Sequence, residues 1–574
     1  MTAARGISRA MGVSASLVDS SAPVSDPRFF AIHREKTPPP RVIQGTLDPV
    51  QRHGSLPDRL SRNRRNRRAR QHSSSTRYQR IRRRRRWWRR LRTGRGHLAA
   101  EHGARVVVLE KGSELRGSTG RSVGSIAASG TPDQERKGIV DDADAHLRDY
   151  RTLSGSLTDT EDIALARLLT HNVTDTLVWL REMGMEFFGP VGEPPHSAPR
   201  LHNVLPGSRS YIYHLERRAR VLGVRIVLDC PVTRLEVEDG RVTGVVAHHG
   251  GREMQVQASR GVILAAGDFS AGRDLKARWI NEQVAEFVPV NPHATGDAQT
   301  MALELGGQVL NADVFDVPSM RLAPPPSDGL FGLLQKLPPR RILTRTVRWG
   351  LDHLPDRMIR TLMMGFVTTY LSPREVMFDE GALLVDASGD LRSGTDENIN
   401  LTVASLGEAG GYIIGDRALY EKFSTDPYHV ATAPGVAFAY MPDFRRARPD
   451  VYAEAPTLES LADRIGVPAE HLTKSAAAAG TLNGQAPYFA LGPVRAYLLQ
   501  TNGGLAIDSE LRVVGSDGTS IPGLFAVGNA GQGGLALFGH GHHLAGHSHP
   551  ADSPDASLPA RRPDPSPLQP APET

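Results

Sequence analysis

The chain has 574 residues, long enough for two or three domains, and a single cysteine, Cys230, which excludes an internal disulfide, a CxxCH haem attachment and a cysteine-ligated metal cluster. No run of about 18 apolar residues is present to span a bilayer, the N-terminus lacks the apolar core of a secretory signal, and the lone cysteine suits a cytoplasmic setting. The formal net charge of +7 hides an asymmetry: residues 1–97 carry +20 and the remainder −13, so the basic character belongs to one segment.

Residues 1–97 are rich in Arg, Ser and Pro without sustained periodicity and read as a disordered basic tail. The pattern changes at His97. "HLAAEHGA" predicts a helix ending at Gly103, and "RVVVLEKG" a buried parallel strand ending at an acid. "DIALARLLTHNVTDTLVWLREMG" predicts a long amphipathic helix closed by Gly184. "RSYIYHLERRARVLG" predicts another, leading into the strand "VRIVLDC". "PVTRLEVEDGRVTGVVAHHGGREMQVQAS" predicts an antiparallel meander turning at Asp239-Gly240 and Gly250-Gly251. "RGVILAAGDFS" is again a buried strand running into a glycine. Residues 310–484 differ in style and read as an inserted domain. They include a basic amphipathic stretch at 329–371 and a helical hairpin, "TLESLADRIGVPAEHLTKSAAAAG", with Pro468 opening its second helix. Short strands and glycines return over 485–545, and residues 546–574 are Pro-rich and aperiodic.

Glu110 is the first candidate for chemistry, since a carboxylate closing the second strand of a βαβ unit can bind both hydroxyls of an adenosine ribose. An acid at a solvated strand edge is the plainer alternative. The loop that follows, "EKGSELRGSTGRSVGSIAASGT", places small residues where backbone amides and hydroxyls can approach a large phosphorylated ligand. An ordinary Gly/Ser loop has the same composition.

Four stretches taken together are more specific. "VVVLEKGSELRGSTGRSVGSIAASGT", "RGVILAAGDFS", "HATGDAQTMALELGG" and "TNGGLAID…GTSIPGLFAVGNAGQGG" resemble, in order and approximate spacing, the flavoprotein family of fumarate reductase, L-aspartate oxidase and 3-ketosteroid 1-dehydrogenase. The resemblance covers roughly residues 98–310 and 485–545. It implies an α/β fold: a GR2-type Rossmann-like FAD-binding domain in two parts, 98–309 and 485–545, with an α+β substrate-capping domain inserted at 310–484. It further implies that Glu110 and Lys111 hold the AMP ribose of FAD, and that Gly117, Ser118, Thr119, Ser122 and Gly124 line the pyrophosphate and flavin. Val232 would meet the adenine, while Ala265, Gly267 and Asp297 pack near the cofactor. Gly528 and Asn529 would stand at the ribityl chain, and His543 and Leu544 at the pyrimidine edge of the flavin. No histidine stands at Ser122–Val123, where some relatives attach flavin, so non-covalent FAD is expected.

The family's GxGxxG phosphate loop is absent. Its place holds Trp87, Trp88, Arg89, Arg90, Leu91 and Arg92. Read one base later, with permitted codons, "IRRRRRWWRRLRTGRGH" becomes "YDVVVVGGGGFGLAAAI", a strand, a glycine loop and a helix start. Read one base earlier after Ala545, "GHSHPADSPDA" can become "WAFTSGRLAGR", a helix. Both tails, 1–97 and 546–574, therefore read as out-of-frame translation around a flavoprotein body. Two rivals remain: an inactive flavoprotein remnant without a phosphate loop, and a nucleic-acid-binding arm of arginines interleaved with tryptophans.

The expected activity is FAD-dependent oxidation or reduction of a CH–CH group next to a carbonyl, with the electron acceptor unidentified. Residues that clamp dicarboxylates in fumarate reductases do not carry over: Gln500 and Phe538 stand in their places. His540, His542 and Tyr497 are the candidate acids or bases. The apolar, basic stretch 329–371 predicts either a channel for a hydrophobic, ketosteroid-like carbonyl substrate or peripheral membrane contact. Core helices of the insert are the plainer reading.

Overall fold

The computed structural model describes residues 41–43, 105–154, 162–192, 196–324, 337–355, 373–392, 398–433 and 437–535, with positions 364, 367, 368 and 371. The helix expected before Gly103, the phosphate-loop position, the turn carrying His540, His542, His543 and Leu544, and the C-terminal tail lie outside the described residues.

The described chain is mixed α/β and builds two main packed regions. In the first, strand Val107–Leu109 runs parallel to Arg225–Val227, with Val108 opposite Ile226. Strand Val262–Leu264 runs parallel to Ser520–Ala526, which pairs antiparallel with Arg512–Val514. All three residues of each of the strands Val107–Leu109 and Val262–Leu264 are buried, as expected of parallel strands covered on both faces. Helix Ile163–Glu182 starts where the Asp162 side chain accepts the amides of Ala164 and Leu165, a capping geometry that satisfies helix-end donors. Its buried stripe of Leu165, Leu169, Val173, Leu177 and Leu180 follows the helical repeat. Gly184, at φ 107°, turns the chain out of it. Helix Arg209–Val221 buries Tyr211, Leu215 and Ala219.

The expected meander forms strands Val232–Glu238, Arg241–His249 and Arg252–Gln257, paired in that order. Asp239 and Gly240 both have positive φ, 49° and 72°, the backbone that a two-residue hairpin turn demands. Its middle strand buries Val242, Val245 and Ala247 in the same core as Val107, Leu109, Val262 and Leu264.

The second region centres on a five-stranded antiparallel sheet. Tyr488–Tyr497 pairs with Ser319–Leu322, Gly411–Gly415 and Tyr452–Ala455, and Gly411–Gly415 pairs with Leu383–Asp386. Met320, Leu384, Ile413, Phe489, Leu491 and Val494 form its core. Helices Leu458–Ile465 and Ala469–Ala479 make the expected hairpin, with Pro468 at the second N-cap. Tyr488–Tyr497 lies after the domain junction expected at 484, yet it hydrogen-bonds wholly within this sheet. The chain crosses to the first region just beyond it, where Leu498 bridges Pro289 and Thr501 bridges Phe315. The two segments 314–322 and 497–502 therefore run side by side from one region to the other and set the position of the residues between them.

Candidate functional site

A cleft opens at the end of strand Val107–Leu109. It is lined by Glu110, Lys111, Glu114, Arg116, Gly117, Arg121, Ala266, Asn291, His293 and Asp297. Glu110 leaves the strand 8% exposed, and its Oε1 accepts the Gly112 amide at 2.8 Å. Burial pushes its carboxyl up to about 7, against the opposing pull of the Gly112 amide and the Lys111 charge. The Lys111 ammonium reaches across to Asp297, donating to Oδ2 at 2.7 Å, and also donates to Thr295. Thr295 Oγ1 in turn donates to Asp297 Oδ1 at 2.5 Å.

The loop after Glu110 closes on the same cleft. Asn291 Nδ2 donates to Ser118 Oγ at 3.0 Å. Thr119 begins a single turn of 3-10 helix, Thr119–Arg121, and Ser122 Oγ donates back to the Thr119 carbonyl at 2.9 Å. Gly124 has φ 84°, and a Cβ there would stand 2.6 Å from a Val204 methyl, so only glycine lets the chain pass. Val232 opens the meander two residues after Cys230, whose amide donates to the Glu110 carbonyl at 2.9 Å.

Segment Ala265–Asp268 links this cleft to a second set of buried polar side chains. Gln299, fully buried, donates to the Gly267 carbonyl at 3.1 Å. Asn529 Nδ2 lies 3.3 Å from Asp268 Oδ2 and donates to Gln500 Oε1 at 3.0 Å. Asn502 donates to Asp316 Oδ1 at 2.9 Å and accepts from Gln532 at 3.3 Å. Burial raises both carboxyls. For Asp316 the value reaches about 7, with Asn502 pulling it down and the neighbouring Asp268 pushing it further up.

Of the residues expected at a cofactor, Glu110, Lys111, Gly117 and Asp297 line one cleft. Ser118, Thr119, Ser122 and Gly124 belong to its loop and Ala265 and Gly267 flank its Ala266, while Gly528 and Asn529 stand outside its lining, where Asn529 donates to Asp268. Tyr497 stands apart, half-buried at the end of the second region's longest strand and opposite Ser319. Sequence reasoning missed Arg116, Arg121, Asn291, Asp268, Asp316 and Asn502. The two arginines lay in plain view in "LRGSTGR", but an arginine in a Gly/Ser loop reads as a solvated side chain.

These arginines test the fit to a dinucleotide. The buried Nε atoms of Arg116 and Arg121 have no hydrogen-bond partner among the described residues, although both side chains line the cleft. Donors in that state suit phosphate oxygens. Glu110 in the same cleft suits ribose hydroxyls, and Gly117, at φ 51°, leaves room for close backbone approach. The residues present fit FAD.

The raised Glu110 carboxyl carries a sign. Between pH 4.5 and about 7 the folded chain keeps a proton that the unfolded chain releases. Stability therefore falls as pH rises through that window and stays lower above it. The expected loss is about 3 kcal/mol for the ligand-free chain. Denaturant unfolding across pH 5 to 8 checks it: the difference between the parent and Glu110→Gln profiles is expected to carry this loss, while Asp316 and the buried histidines titrate alike in both.

The profile of the family described as FAD binding domain matches residues 96–331 and 443–542, more than half of the chain. The NADH:acrylate oxidoreductase of Vibrio harveyi is 26% identical over 392 residues, which cover 63% of this chain and 33% of that protein. The 4-oxocyclohex-2-ene-1-carboxylate 5-dehydrogenase of Sinomonas cyclohexanicum is 29% identical over 362 residues, covering 56% of this chain and 53% of that protein. The chain thus spans from a third to about half of these relatives' lengths. Among solved structures, the open conformation of a flavocytochrome c3 fumarate reductase superposes with a TM-score of 0.52 at 20% identity, over 76% of this chain and 70% of the other. The 3-ketosteroid delta1-dehydrogenase from Sterolibacterium denitrificans gives 0.50 at 17% identity, over 76% and 92%. These two likenesses concern the fold. With the cleft and the profile pointing the same way, the chain belongs to the FAD binding domain family of flavoproteins.

Proposed function

We propose that this chain is an FAD-dependent dehydrogenase or reductase acting on a CH–CH pair next to a carbonyl or carboxylate in a small molecule, with FAD held non-covalently in a cytoplasmic setting. The observation that carries the reading is the cleft, where Glu110 shares the lining with two arginines whose Nε donors have no partner among the described residues. The names of the two curated relatives support the substrate class, since acrylate and 4-oxocyclohex-2-ene-1-carboxylate each carry a C=C bond beside a carbonyl or carboxylate.

FAD, when bound, supplies a two-electron acceptor for a hydride leaving one carbon. The chain's own residues bind, orient and move the proton. Glu110 takes the ribose hydroxyls, Lys111 fixes Asp297 beside it, and Arg116 and Arg121 neutralise phosphate. A base then removes the proton from the carbon next to the carbonyl, or returns it in reduction. Tyr497, His540 and His542 remain the proposed proton carriers. Asp316 joins them, because its burial lets the carboxyl hold a proton near neutral pH.

At saturating FAD, the full chain is expected to induce visible circular dichroism in the flavin. It should also oxidise 4-oxocyclohexanecarboxylate with a dye acceptor, or reduce acrylate with a reduced viologen. Dichroism without turnover of either compound overturns the reaction; no dichroism overturns the flavin reading.

A second reading, peripheral contact with a lipid surface, is favoured by helix Arg341–His353. Its inner side packs through buried Thr344, and Arg348 donates to the Phe187 carbonyl. Its outer side leaves Ile342 83% and Trp349 57% exposed, beside exposed Arg341 and Arg345. Apolar anchors among arginines suit an anionic headgroup layer. Among the described residues, no helix is long and apolar enough to cross a membrane. Ile342→Ser with Trp349→Ser is expected to lower binding of the full chain to vesicles of phosphatidylcholine and phosphatidylglycerol by about tenfold. Unchanged binding would assign it to the basic N-terminal segment and remove this reading.

A further inference from the structure

Strands Ser319–Leu322 and Tyr488–Tyr497 pair antiparallel, with Ser319 opposite Tyr497, Met320 opposite Ala496, Arg321 opposite Arg495 and Leu322 opposite Val494. Opposite residues share a face, and successive ones alternate between faces. Met320, Leu322, Val494 and Ala496 are all buried in the core of the second region. The other face therefore carries Ser319, Arg321, Arg495 and Tyr497, each half-buried. It is a polar face, and two of its four members are arginines standing opposite each other.

Like charges directly opposite destabilise a sheet, so this pair asks for a reason. Burial draws the Arg321 guanidinium down to about 10. Its Nη1 is fixed by donating to Ser319 Oγ at 2.6 Å and to the Met320 carbonyl at 2.9 Å. Arg495 is seated by a glycine. Gly410 has φ 67°, and a Cβ there would stand 2.9 Å from Arg495 Cγ, so the arginine stem lies where a glycine leaves room. The Arg495 Nε is buried and has no hydrogen-bond partner among the described residues. A desolvated donor beside a second guanidinium suits a carboxylate, whose two oxygens match the planar fork. Tyr497 stands two residues further along the same face, about 7 Å away. A six-membered ring with a carbonyl and a carboxylate at opposite ends spans a similar length. The same two segments run on to Asp316 and Asn502, where they enter the first region.

We propose that Arg321 and Arg495 clamp a carboxylate of the substrate, which lies along this face with its carbonyl end at Tyr497. This rests on the dehydrogenase reading and narrows the substrate to a small carbonyl compound with a carboxylate at its far end. The two arginines then set specificity, and the turn at Gly410 positions one of them. An uncharged ketone of the same size offers the Arg495 fork no anion and is the poorer substrate.

Steady-state kinetics of the full chain at saturating FAD, with 4-oxocyclohexanecarboxylate and its methyl ester, test this. The parent is expected to favour the acid over the ester in kcat/KM by at least about thirtyfold. Arg495→Gln is expected to lower that ratio at least about tenfold, chiefly through the KM of the acid, and Arg495→Lys to recover part of it. The ratio is taken on one preparation, so a misfolded fraction of the variant does not change it. An unchanged ratio in Arg495→Gln, or a parent that turns over the ester as well as the acid, overturns the proposal. If the parent turns over neither compound, the dehydrogenase reading fails, and calorimetric binding of cyclohexanecarboxylate decides the clamp alone. Binding weakened about tenfold by Arg495→Gln supports it; no binding, or equal binding to parent and variant, overturns it.

Discussion

The pairing of a short buried strand governs the rest of this molecule. Val107–Leu109 carries Glu110 into the cleft, and its ladder with Arg225–Val227 fixes where that carboxyl emerges. The same pairing continues as Glu110 N to Val227 O and Cys230 N to Glu110 O, which brings the start of the meander beside the site. From this edge the loop to Gly124 closes back, and Lys111 ties it to the distant Asp297. Moving the strand by one residue would turn Glu110 to the opposite face and empty the cleft of its acid.

A division of labour follows from the two polar regions. The cleft at Glu110 is open and holds charges of both signs, which suits a ligand with ribose and phosphate. The set around Asp268, Asn529, Gln500, Asn502 and Asp316 is more enclosed, with Asp268, Gln500 and Asn502 buried, and is built of carboxyls and amides. It sits where the segments from the second region enter the first, through the Phe315–Thr501 bridge. Carboxyls there lose hydration without gaining a cation. The Lys276 ammonium, which feels the Asp268 charge, donates to the Phe287 carbonyl at 2.8 Å and forms no ion pair with Asp268 among the described residues. Such a place favours holding a proton over holding a charge.

Local signals were legible in the sequence; long-range ones were not. Asp162 and Gly184 bounded the long helix, and Asp239-Gly240 marked the hairpin, because caps and positive-φ turns depend on adjacent residues. Glu110 was legible because it closes an apolar run. The partnership of Lys111 with Asp297 spans 186 positions and follows only from the fold. Asp268 and Asp316 gave no local signal, and only packing shows that Asp268 is buried and Asp316 half-buried. Tyr488–Tyr497 was expected among the short strands that follow the inserted segment, because short strands and glycines return there. It pairs with three strands of the second region, a long-range choice that local composition does not carry.

The proposed occupant of the cleft beside Val107–Leu109 is the adenosine end of FAD. A structure of the protein with FAD bound tests it most directly. The account predicts both ribose hydroxyls within hydrogen-bond distance of the Glu110 carboxylate and the pyrophosphate between Arg116 and Arg121. Density for the dinucleotide elsewhere on the chain, with Glu110 and both arginines untouched, would contradict it.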